Sequence, residues 1–420
     1  MGWFSHITDF LYYFEFYYPL FMAYAWVIGA VYYYLHWESG PWTAIDRPPE
    51  LETFPGISYL VPCHNEAANI VDTIEFLVRQ EYPEFEIIAV NDGSTDNTGA
   101  LLDRLAQQHA AMRVVHLQSN QGKAMALRMA TLVSRHEYLV CIDGDALLDP
   151  HAGKWLIRHF AEGPRVGAVT GNPRIRTRST LLGKIQVGEF SAVIGLIKRA
   201  QRIYGRVFTI SGVVAAFRKS ALHQTGYWNT DTVTDDIDIS WKLQLNHWDI
   251  RFEPNALCWI LMPETLQGLW RQRVRWAQGG MEALIRYLPA MPHWRSRRMW
   301  GVCLEYLVSV LWSYFMCLII VLWLLGQLFT MPEPLSIPTL LPGWNGIILG
   351  VTCLLQFAIS LAIDSRFEKG IGRIYYWMVW YPVAYWTINM LTTAFAVPRA
   401  LFGARRRLAT WKSPDRGLQP

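Results

Sequence analysis

The sequence contains few charged residues. Only 17% of its 420 residues are Asp, Glu, Lys or Arg, and 38 basic against 34 acidic side chains leave a net charge of +4. Because 52% of the residues are hydrophobic, disordered and fibrous classes are excluded. The sequence also lacks a strong basic excess and a recognition module for nucleic acid, so nucleic acid is not expected as a partner.

Cysteine is scarce, and its spacing matches no metal-binding pattern. The sequence has no CxxC motif or Cys/His cluster, and its six cysteines are Cys63, Cys141, Cys258, Cys303, Cys317 and Cys353. A structural zinc site or a disulfide framework is therefore not expected. We predict buried thiols, which fits a catalytic region that faces the reducing cytoplasm.

Internal repeats and low-complexity tracts are absent too, whereas aromatic residues are abundant. The sequence has 20 Trp and 20 Tyr residues, and its mean hydropathy is +0.13. Such amphipathic rings gather where hydrocarbon meets water, so the composition indicates a membrane protein.

Apolar runs near both ends define the predicted membrane part. Residues 10–35 are apolar apart from Glu15 and exceed the roughly 20 residues that a spanning helix needs. A cleaved signal peptide is the alternative, but a basic leader and a small-residue cleavage site are missing. We predict an N-terminal transmembrane helix within residues 1–45. A C-terminal transmembrane region is predicted over residues 300–400, with apolar runs at 302–329, 347–363 and 374–397.

The distribution of basic residues predicts the sides of the C-terminal runs. The loop at residues 330–343 has no Lys or Arg, and basic residues follow the second run, so the positive-inside rule places the loop outside. The third run contains Pro382 and precedes a basic tail at residues 401–420. A full third span would place that tail outside, so either the run is broken or re-entrant, or the tail is an exception.

Residues 50–263 have the pattern of an α/β catalytic domain. Short β-rich runs alternate with helical stretches, and this alternation predicts a parallel sheet flanked by helices. The predicted strands are 57–61, 86–90, 138–142 and 166–169, and the predicted helices include 67–79 and 98–108.

Residues 264–299 form a different kind of segment. Between residues 270 and 298, seven arginines are opposed only by Glu282 and are interleaved with Trp and Leu. This pattern predicts an amphipathic segment at the anionic cytoplasmic membrane surface.

Carboxylates follow two of the predicted strands. Ligands of open α/β sheets bind beyond the carboxyl ends of strands, so Asp92 lies where a nucleotide would be met. The Asp-Gly-Ser-Thr-Asp sequence that begins at Asp92 is equally a good turn and helix cap. After the next such strand, Asp143 and Asp145 offer two carboxylates to Mg²⁺ carrying a diphosphate, or else form a turn with solvated acids.

Two later motifs supply a candidate base and a candidate substrate contact. Asp236, in the sequence Thr-Asp-Asp, could deprotonate an acceptor hydroxyl, although acids here also favour a helix start. In the Gln-Arg-Val-Arg-Trp sequence of residues 272–276, guanidinium groups suit phosphate oxygens and the indole offers a flat face to a sugar. A basic interfacial helix without a ligand is the alternative.

The order of these motifs between membrane helices resembles that of the processive membrane glycosyltransferases of family 2. The resemblance covers residues 57–280. It implies an α/β fold of the GT-A type, a Rossmann-like mixed sheet embedded between transmembrane helices. The stretches at residues 165–180, 183–189 and 256–265 are similar to family members that polymerise N-acetylglucosamine through β-1,6 linkages into biofilm exopolysaccharide.

Other products remain open at this stage. Synthases of hyaluronan, chitin or cellulose and lipid-linked glycosyl transferases share every motif above. A transporter or sensor whose domain only binds a nucleotide sugar is the alternative from another class.

The resemblance implies a role for each motif residue. Asp236 would be the general base of an inverting transfer from UDP-N-acetylglucosamine to the 6-hydroxyl of a growing poly-N-acetylglucosamine chain. Asp143 and Asp145 would hold Mg²⁺ or Mn²⁺. The nucleotide sugar would be bound by Glu66, Asp92, Lys123, Asp143 and Arg275, and the acceptor by Gln272, Arg273 and Trp276.

Two features depart from the family pattern. The third motif usually reads Thr-Glu-Asp, and here Asp235 replaces the Glu while Asp236 keeps the place of the base. The sequence also begins with one apolar segment where a related synthase has an additional one. With a cytoplasmic catalytic domain, this arrangement would place the N-terminus outside.

The resemblance also implies a location and partners. A multi-pass protein of the bacterial cytoplasmic (inner) membrane is expected, with the catalytic domain in the cytoplasm. A small membrane protein with two hydrophobic helices, whose assembly with the synthase responds to cyclic di-GMP, is the expected partner besides the lipid bilayer. For export, a path for the polymer could be lined by Trp377, Trp380, Tyr381, Tyr385 and Trp386, which otherwise would form an interfacial belt.

Overall fold

A mixed sheet forms the centre of the catalytic domain. The computed structural model describes residues 5–40, 47–332, 335–340, 343–403 and 408–410. In these residues the sheet has eight strands in the order β3-β2-β1-β4-β7-β6-β8-β5. The strands are β1 Ile57–Cys63, β2 Phe85–Asp92, β3 Met112–Leu117, β4 Tyr138–Ile142, β5 Leu147–Leu148, β6 Val166–Ile175, β7 Val214–Arg218 and β8 Asp249–Ile260.

One half of the sheet is parallel, as the alternation of strands and helices predicts. β1 pairs in parallel with β2 and β4, and β2 pairs in parallel with β3. β7 is antiparallel to both β4 and β6, whereas β6 and β8 are parallel. The sheet as a whole is therefore mixed, in agreement with the GT-A class.

Helices cover both faces of the sheet and continue into the membrane part. They are α1 Ser5–Tyr33, α2 Ile70–Val78, α3 Thr98–Gln108, α4 Lys123–Val133, α5 Ala152–Glu162, α6 Leu181–Phe190, α7 Ile197–Tyr204, α8 Lys219–Thr225, α9 Asp235–Leu245, α10 Leu266–Tyr287, α11 Trp300–Leu328, α12 Gly343–Asp364 and α13 Tyr381–Phe402.

The central strands are apolar on both faces because helices bury both. In β1, Tyr59 and Val61 belong to one hydrophobic cluster, whereas Leu60 belongs to the other. In β2, Ala89 and Val90 divide in the same way. Successive side chains of a strand point to opposite faces, so a strand covered on both sides reads as a continuous apolar run.

Three helices are long and apolar enough to cross a membrane. They extend over Thr8–Glu38, Trp294–Leu328 and Gly343–Asp364, and they correspond to the first three predicted apolar runs. The third C-terminal run is divided into a 3₁₀ segment, Ile371–Trp380, and α13, with Pro382 in the first turn of α13. In the described part of the chain α13 is not among the candidate spans.

The chain after α13 returns to the catalytic domain. The backbone N–H of Ala409 donates a hydrogen bond to the Thr230 carbonyl oxygen at 2.8 Å. A side chain at Gly122 would lie only 2.0 Å from the carbonyl oxygen of Ala409. Residues 408–410 thus lie on the catalytic side, whereas residues 404–407 and 411–420 of the predicted basic tail lie outside the described residues.

A buried ion cluster joins the membrane helices to the catalytic domain. Arg199 of α7 is 1% exposed and donates to Glu38, which follows α1, at 2.7 Å and to Asp364, at the end of α12, at 3.3 Å. Arg174 of β6 donates to the same Asp364 at 2.6 Å. Removing one member of such a cluster leaves an uncompensated buried charge, so the cluster fixes how these elements dock.

The prediction of buried thiols is confirmed for every cysteine except Cys317. All six thiols are free; Cys317 is half-buried and the other five are buried.

Candidate active site

The carboxyl ends of the parallel strands meet at one edge of the sheet. β2 ends at Asp92, and β4 is followed directly by Asp143, Gly144 and Asp145. Because β1 lies between β2 and β4 with parallel pairing on both sides, all three strands end at this edge. Glu66, which follows β1, packs there too, since a Cβ at Gly144 would lie 3.0 Å from its Cγ.

Asp92 fixes the loop that leads to Lys123. Its carboxylate is fully buried and accepts hydrogen bonds from the backbone N–H groups of Gln121 at 2.8 Å and Gly122 at 2.7 Å. Burial raises the pKa of Asp92, although the two N–H groups act in the opposite direction. Both carboxylate oxygens are thus engaged by the loop, and contact with uridine stays a prediction.

The second aspartate of the Asp-Gly-Ser-Thr-Asp sequence, Asp96, acts as a turn and helix-cap residue. Asp96 accepts hydrogen bonds from the backbone N–H groups of Thr98 at 3.0 Å and Ala67 at 3.1 Å. It therefore fixes the start of α3 against the loop after β1. The two aspartates of the motif have different local roles.

Lys123 lies among three carboxylates. Its ammonium donates hydrogen bonds to Asp143 and, at 2.9 Å, to the carbonyl oxygen of Gly212. Burial alone would lower the pKa of Lys123, but Asp143, Asp235 and Asp236 outweigh it and raise that pKa well above its usual value. The lysine is therefore a fixed positive charge at the centre of the site.

Asp143 and Asp145 have the chemistry of a magnesium or manganese site. They supply hard carboxylate oxygens from two positions separated by Gly144. Burial raises the pKa of the Cys258 thiol, and the charges of these two acids raise it further. Among the described residues there is no group of three or more metal-binding side chains. Mg²⁺ needs only one or two protein carboxylates when phosphates complete its shell, so the pair fits the ion.

Asp236 lies in the first turn of α9, beside Gly212. A Cβ at Gly212 would lie 3.0 Å from an Asp236 carboxylate oxygen, so a larger residue there would displace the acid by a few tenths of an ångström. Burial and the neighbouring Asp235 raise the pKa of Asp236, whereas Lys123 and Arg275 lower it. A carboxylate with a raised pKa is a stronger base than an exposed one, as a general base requires.

The helix α10 docks against the start of α9. A Cβ at Gly279 would lie only 1.9 Å from Oγ1 of Thr234, so the two helices approach each other closely at this glycine. The same helix carries Arg275, which is exposed and acts electrostatically on Asp236. The Thr-Asp-Asp motif and the Gln-Arg-Val-Arg-Trp motif therefore lie on two helices that pack against each other.

Arg273 is a buried structural contact in this structure. Its guanidinium donates to Glu189 of α6 at 2.5 Å and lies over the Trp276 ring at 4.5 Å. Glu189 also accepts from the Tyr381 hydroxyl at 3.3 Å. Gln272 is half-buried and contacts the Met262 sulfur at 3.7 Å. The predictions that Gln272 and Arg273 contact the acceptor stay untested.

A cavity lies between α10, the helix that carries Arg275, and the membrane helices. Its volume is about 410 Å³, and Arg273, Trp276, Tyr381 and Trp386 line it together with residues of α1, α11 and α12. Its polar lining comes from Ser309, Ser313, Thr352, Gln356, Asn389, Thr392 and Thr393. Of the other predicted path residues, Tyr385 is buried against Tyr381 and Trp380 is 57% exposed.

Two functional candidates escape the sequence patterns. Lys198 of α7 is 3% exposed and donates hydrogen bonds to Ser211 at 2.6 Å and to Thr170 at 3.2 Å. The charge of Asp236 raises the pKa of Lys198, against the effect of burial. Glu189 is the buried partner of Arg273. Lys198 lies in a segment without a strand pattern or motif, whereas Glu189 ends the stretch 183–189, whose resemblance to family members assigns it no role.

Comparison with known proteins gives consistent matches. Residues 55–279 match the family described as glycosyltransferase like family 2. Over 419 residues, 98% of this chain and 99% of the relative, the chain is 40% identical to a poly-β-1,6-N-acetyl-D-glucosamine synthase from Staphylococcus epidermidis. The corresponding synthase from Staphylococcus aureus is also 40% identical, over 96% of this chain and 97% of the relative.

A solved structure has a similar fold. It is a mannosyltransferase from Pyrobaculum calidifontis in complex with GDP-Man and Mn²⁺. The TM-score is 0.62 at 20% identity, and the match covers 95% of this chain and 99% of the other. This likeness concerns the fold alone.

Proposed function

The chain belongs to glycosyltransferase family 2, and from this membership we propose that it polymerises N-acetylglucosamine from UDP-N-acetylglucosamine into a β-1,6-linked chain. The sugar and the linkage come from the names of its 40% identical relatives. The observation that carries the mechanism is the position of Asp236 between Lys123 and the docked helix α10. The binding-only alternative explains neither this base nor its raised pKa.

The reaction is a single displacement with inversion at the anomeric carbon. The 6-hydroxyl oxygen of the acceptor forms a bond to C1 of the donor sugar while the bond from C1 to the diphosphate oxygen breaks. Asp236 takes the hydroxyl proton, and UDP leaves with the electron pair of the broken bond. A half-buried carboxylate whose pKa is raised holds that proton better than an exposed one.

Positive charge near the donor stabilises the departing diphosphate. Lys123 and Arg275 are the candidate side chains, because both act electrostatically on Asp236 at the strand edge. Glu66 and Asp92 shape the nucleotide end of the site. Asp143 and Asp145 would hold Mg²⁺ or Mn²⁺, and the ion when bound would supply charge that neutralises the diphosphate.

The metal proposal has a direct test. Asp145→Ala should weaken UDP-sugar binding and its dependence on Mg²⁺ together, because the variant loses one of two carboxylates. EDTA should abolish activity of the wild-type enzyme and added Mg²⁺ or Mn²⁺ should restore it. Full activity in EDTA would refute metal dependence.

The cavity is the proposed entrance for the growing polymer. Trp276 lines the cavity and directly follows Arg275, which acts electrostatically on Asp236, so its ring could stack on the terminal sugar. The hydroxyl and amide groups that line the cavity could replace water around the polymer, since unsatisfied polar groups in hydrocarbon cost several kcal/mol each. We therefore propose that synthesis is coupled to export.

The proposed location is the bacterial inner membrane, with the catalytic domain in the cytoplasm. The three candidate spans and the basic residues after α12 support this orientation. A small two-helix membrane protein that responds to cyclic di-GMP is the proposed partner. Full activity of the chain alone in lipid, without partner or second messenger, would contradict that part.

Product analysis tests the proposed activity. Purified membranes should release UDP with UDP-N-acetylglucosamine and much less with UDP-glucose or UDP-glucuronic acid. A β-1,6-specific hexosaminidase should digest the product completely. A resistant product would favour a hyaluronan, chitin or cellulose synthase, and sugar binding without UDP release would favour the binding-only alternative.

A further inference from the structure

A second cleft lies at the opposite edge of the sheet from the active site. It has a volume of about 720 Å³ and is formed where β6 and β8 begin. β6 and β4 run in the same direction, because β7 between them is antiparallel to both. The start of β6 is therefore at the edge opposite to Asp143, and the cleft is separate from the donor site.

The cleft is lined by an excess of positive charge. Its lining includes Arg165, Arg206, Arg251, Arg295, Arg297 and Arg298. The single lining carboxylate, Asp249, lies 3.2 Å from Arg206 and 3.6 Å from Arg251 and also pairs with Arg202 outside the lining. Within the described chain the side chains of Arg165, Arg295 and Arg298 have no hydrogen bond or ion pair. Several guanidinium groups thus face the cleft without a counter-charge.

Arg206 gives the cleft a buried polar group. It is 6% exposed, and its Nε is buried without a hydrogen-bond partner in the described chain. Burial lowers the pKa of Arg206, and the like charges of Arg298 and Arg165 lower it further against the effect of Asp249. An anion in the cleft would relieve this repulsion and supply an acceptor.

The cleft lies where the chain enters the membrane. Three of the six arginines belong to the 3₁₀ segment Trp294–Met299, which is also the beginning of the candidate span Trp294–Leu328. Trp294 and Trp300 flank these arginines and are 69% and 42% exposed. Exposed tryptophans at the end of a span mark the level of lipid headgroups, where phosphate groups are concentrated.

We propose that this arginine cleft binds the phosphate group of an anionic phospholipid. Guanidinium groups match phosphate oxygens in a bidentate manner, and the cleft of about 720 Å³ gathers several of them around one space. The bound lipid would hold the catalytic domain against the bilayer through β6, β8 and the start of α11. This inference depends on the cleft and on the span, and it does not depend on the proposed reaction.

The test compares two variants with equal loss of charge. Arg165→Gln, Arg295→Gln and Arg298→Gln are combined in the cleft variant, and the exposed Arg79, Arg104 and Arg135 are replaced by Gln in the control. Each full-length protein is placed in nanodiscs of phosphatidylcholine with increasing phosphatidylglycerol. Native mass spectrometry then measures the phospholipids that stay bound after release from the nanodisc.

We expect the wild type and the control to retain phosphatidylglycerol over phosphatidylcholine by at least about tenfold, and the cleft variant to lose this preference. Equal preference in all three proteins would overturn the proposal. Retention of inorganic pyrophosphate through the same arginines, without a lipid preference, would overturn the lipid assignment in favour of a soluble anion. UDP-N-acetylglucosamine binding, measured in parallel, should be the same in all three proteins and reports separately on the proposed function.

Discussion

The environment of Asp236 combines opposite electrostatic effects. Burial and Asp235 raise its pKa, while Lys123 and Arg275 keep positive charge close to it. Asp236→Asn should therefore reduce polymer formation by about 10²–10⁴-fold and leave UDP-N-acetylglucosamine binding nearly unchanged, because the amide cannot accept the proton. Radiolabelled sugar incorporation and donor binding measure the two effects. The exposed Asp72→Asn is the control, and near-normal synthesis by Asp236→Asn would refute the assignment of the base.

Lys198 gives the enzyme a predicted pH response. Burial lowers the pKa of Lys198 to about 7, so the unfolded chain binds more protons than the folded one between about pH 7 and the ordinary lysine pKa of 10.5. Wild-type stability should rise with pH across this window, and Lys198→Met should lose that rise. Thermal unfolding at several pH values measures it.

The same substitution should alter catalysis below pH 7. Protonated Lys198 favours the ionised form of Asp236, so its loss raises the Asp236 pKa further. The acidic limb of the rate profile should move to higher pH in Lys198→Met. An unchanged acidic limb would show that Lys198 does not influence the protonation of Asp236.

The contact between α9 and α10 depends on one glycine. Gly279→Ala would place a Cβ 1.9 Å from Thr234 Oγ1, so α10 must move away from the start of α9. Misplacement of that kind should cost roughly 10–100-fold in polymerisation rate. Gly301→Ala in α11 is the matched control, because a Cβ there meets nothing within 4 Å. Equal activity of the two variants would show that the helices tolerate the shift.

The ion pair between Arg273 of α10 and Glu189 of α6 allows packing and substrate binding to be tested separately. Glu189→Gln or Arg273→Met alone leaves a buried charge without its partner and should destabilise the protein by about 3–5 kcal/mol. The double variant should recover most of this loss, which thermal unfolding measures. If Arg273 also binds the acceptor, as the family resemblance implies, the double variant will be stable but inactive. Recovery of activity with stability would make Arg273 a purely structural residue.

The proposed coupling of synthesis to export is a property that only the assembled protein can test. In sealed vesicles with the catalytic domain outward, and with the two-helix partner if required, polymer should enter the lumen and resist added hexosaminidase. Ser313→Trp, which narrows the 410 Å³ cavity, should reduce delivery strongly, whereas Leu304→Trp on the exposed face of α11 should not. Polymer that is fully digestible in intact vesicles would assign export to another protein.

Local sequence determined the catalytic strands, the early spans and the motif positions. The apolar runs that end at Asp92 and Asp143 are buried on both faces, and such runs fold as parallel strands wherever helices cover them. Because parallel strands end at a shared edge, the pattern also predicts that these acids come together. Cys63, Cys141 and Cys258 are buried for the same reason, since they lie in the apolar strands β1, β4 and β8.

Contacts distant in sequence could be decided only by the tertiary structure. The sequence predicts an acceptor contact for Arg273, and only the folded chain shows that Glu189, 84 residues away, packs against it. The start of α13 at Tyr381 and the hydrogen bond from Ala409 to Thr230 likewise could not be predicted. Hydropathy gives the length of an apolar run but does not show which other elements the run contacts. The arginine cleft arises in the same way. Arg165, Arg206 and Arg298 are distant in sequence, and only the folded chain brings them around a single cleft, where their like charges repel one another.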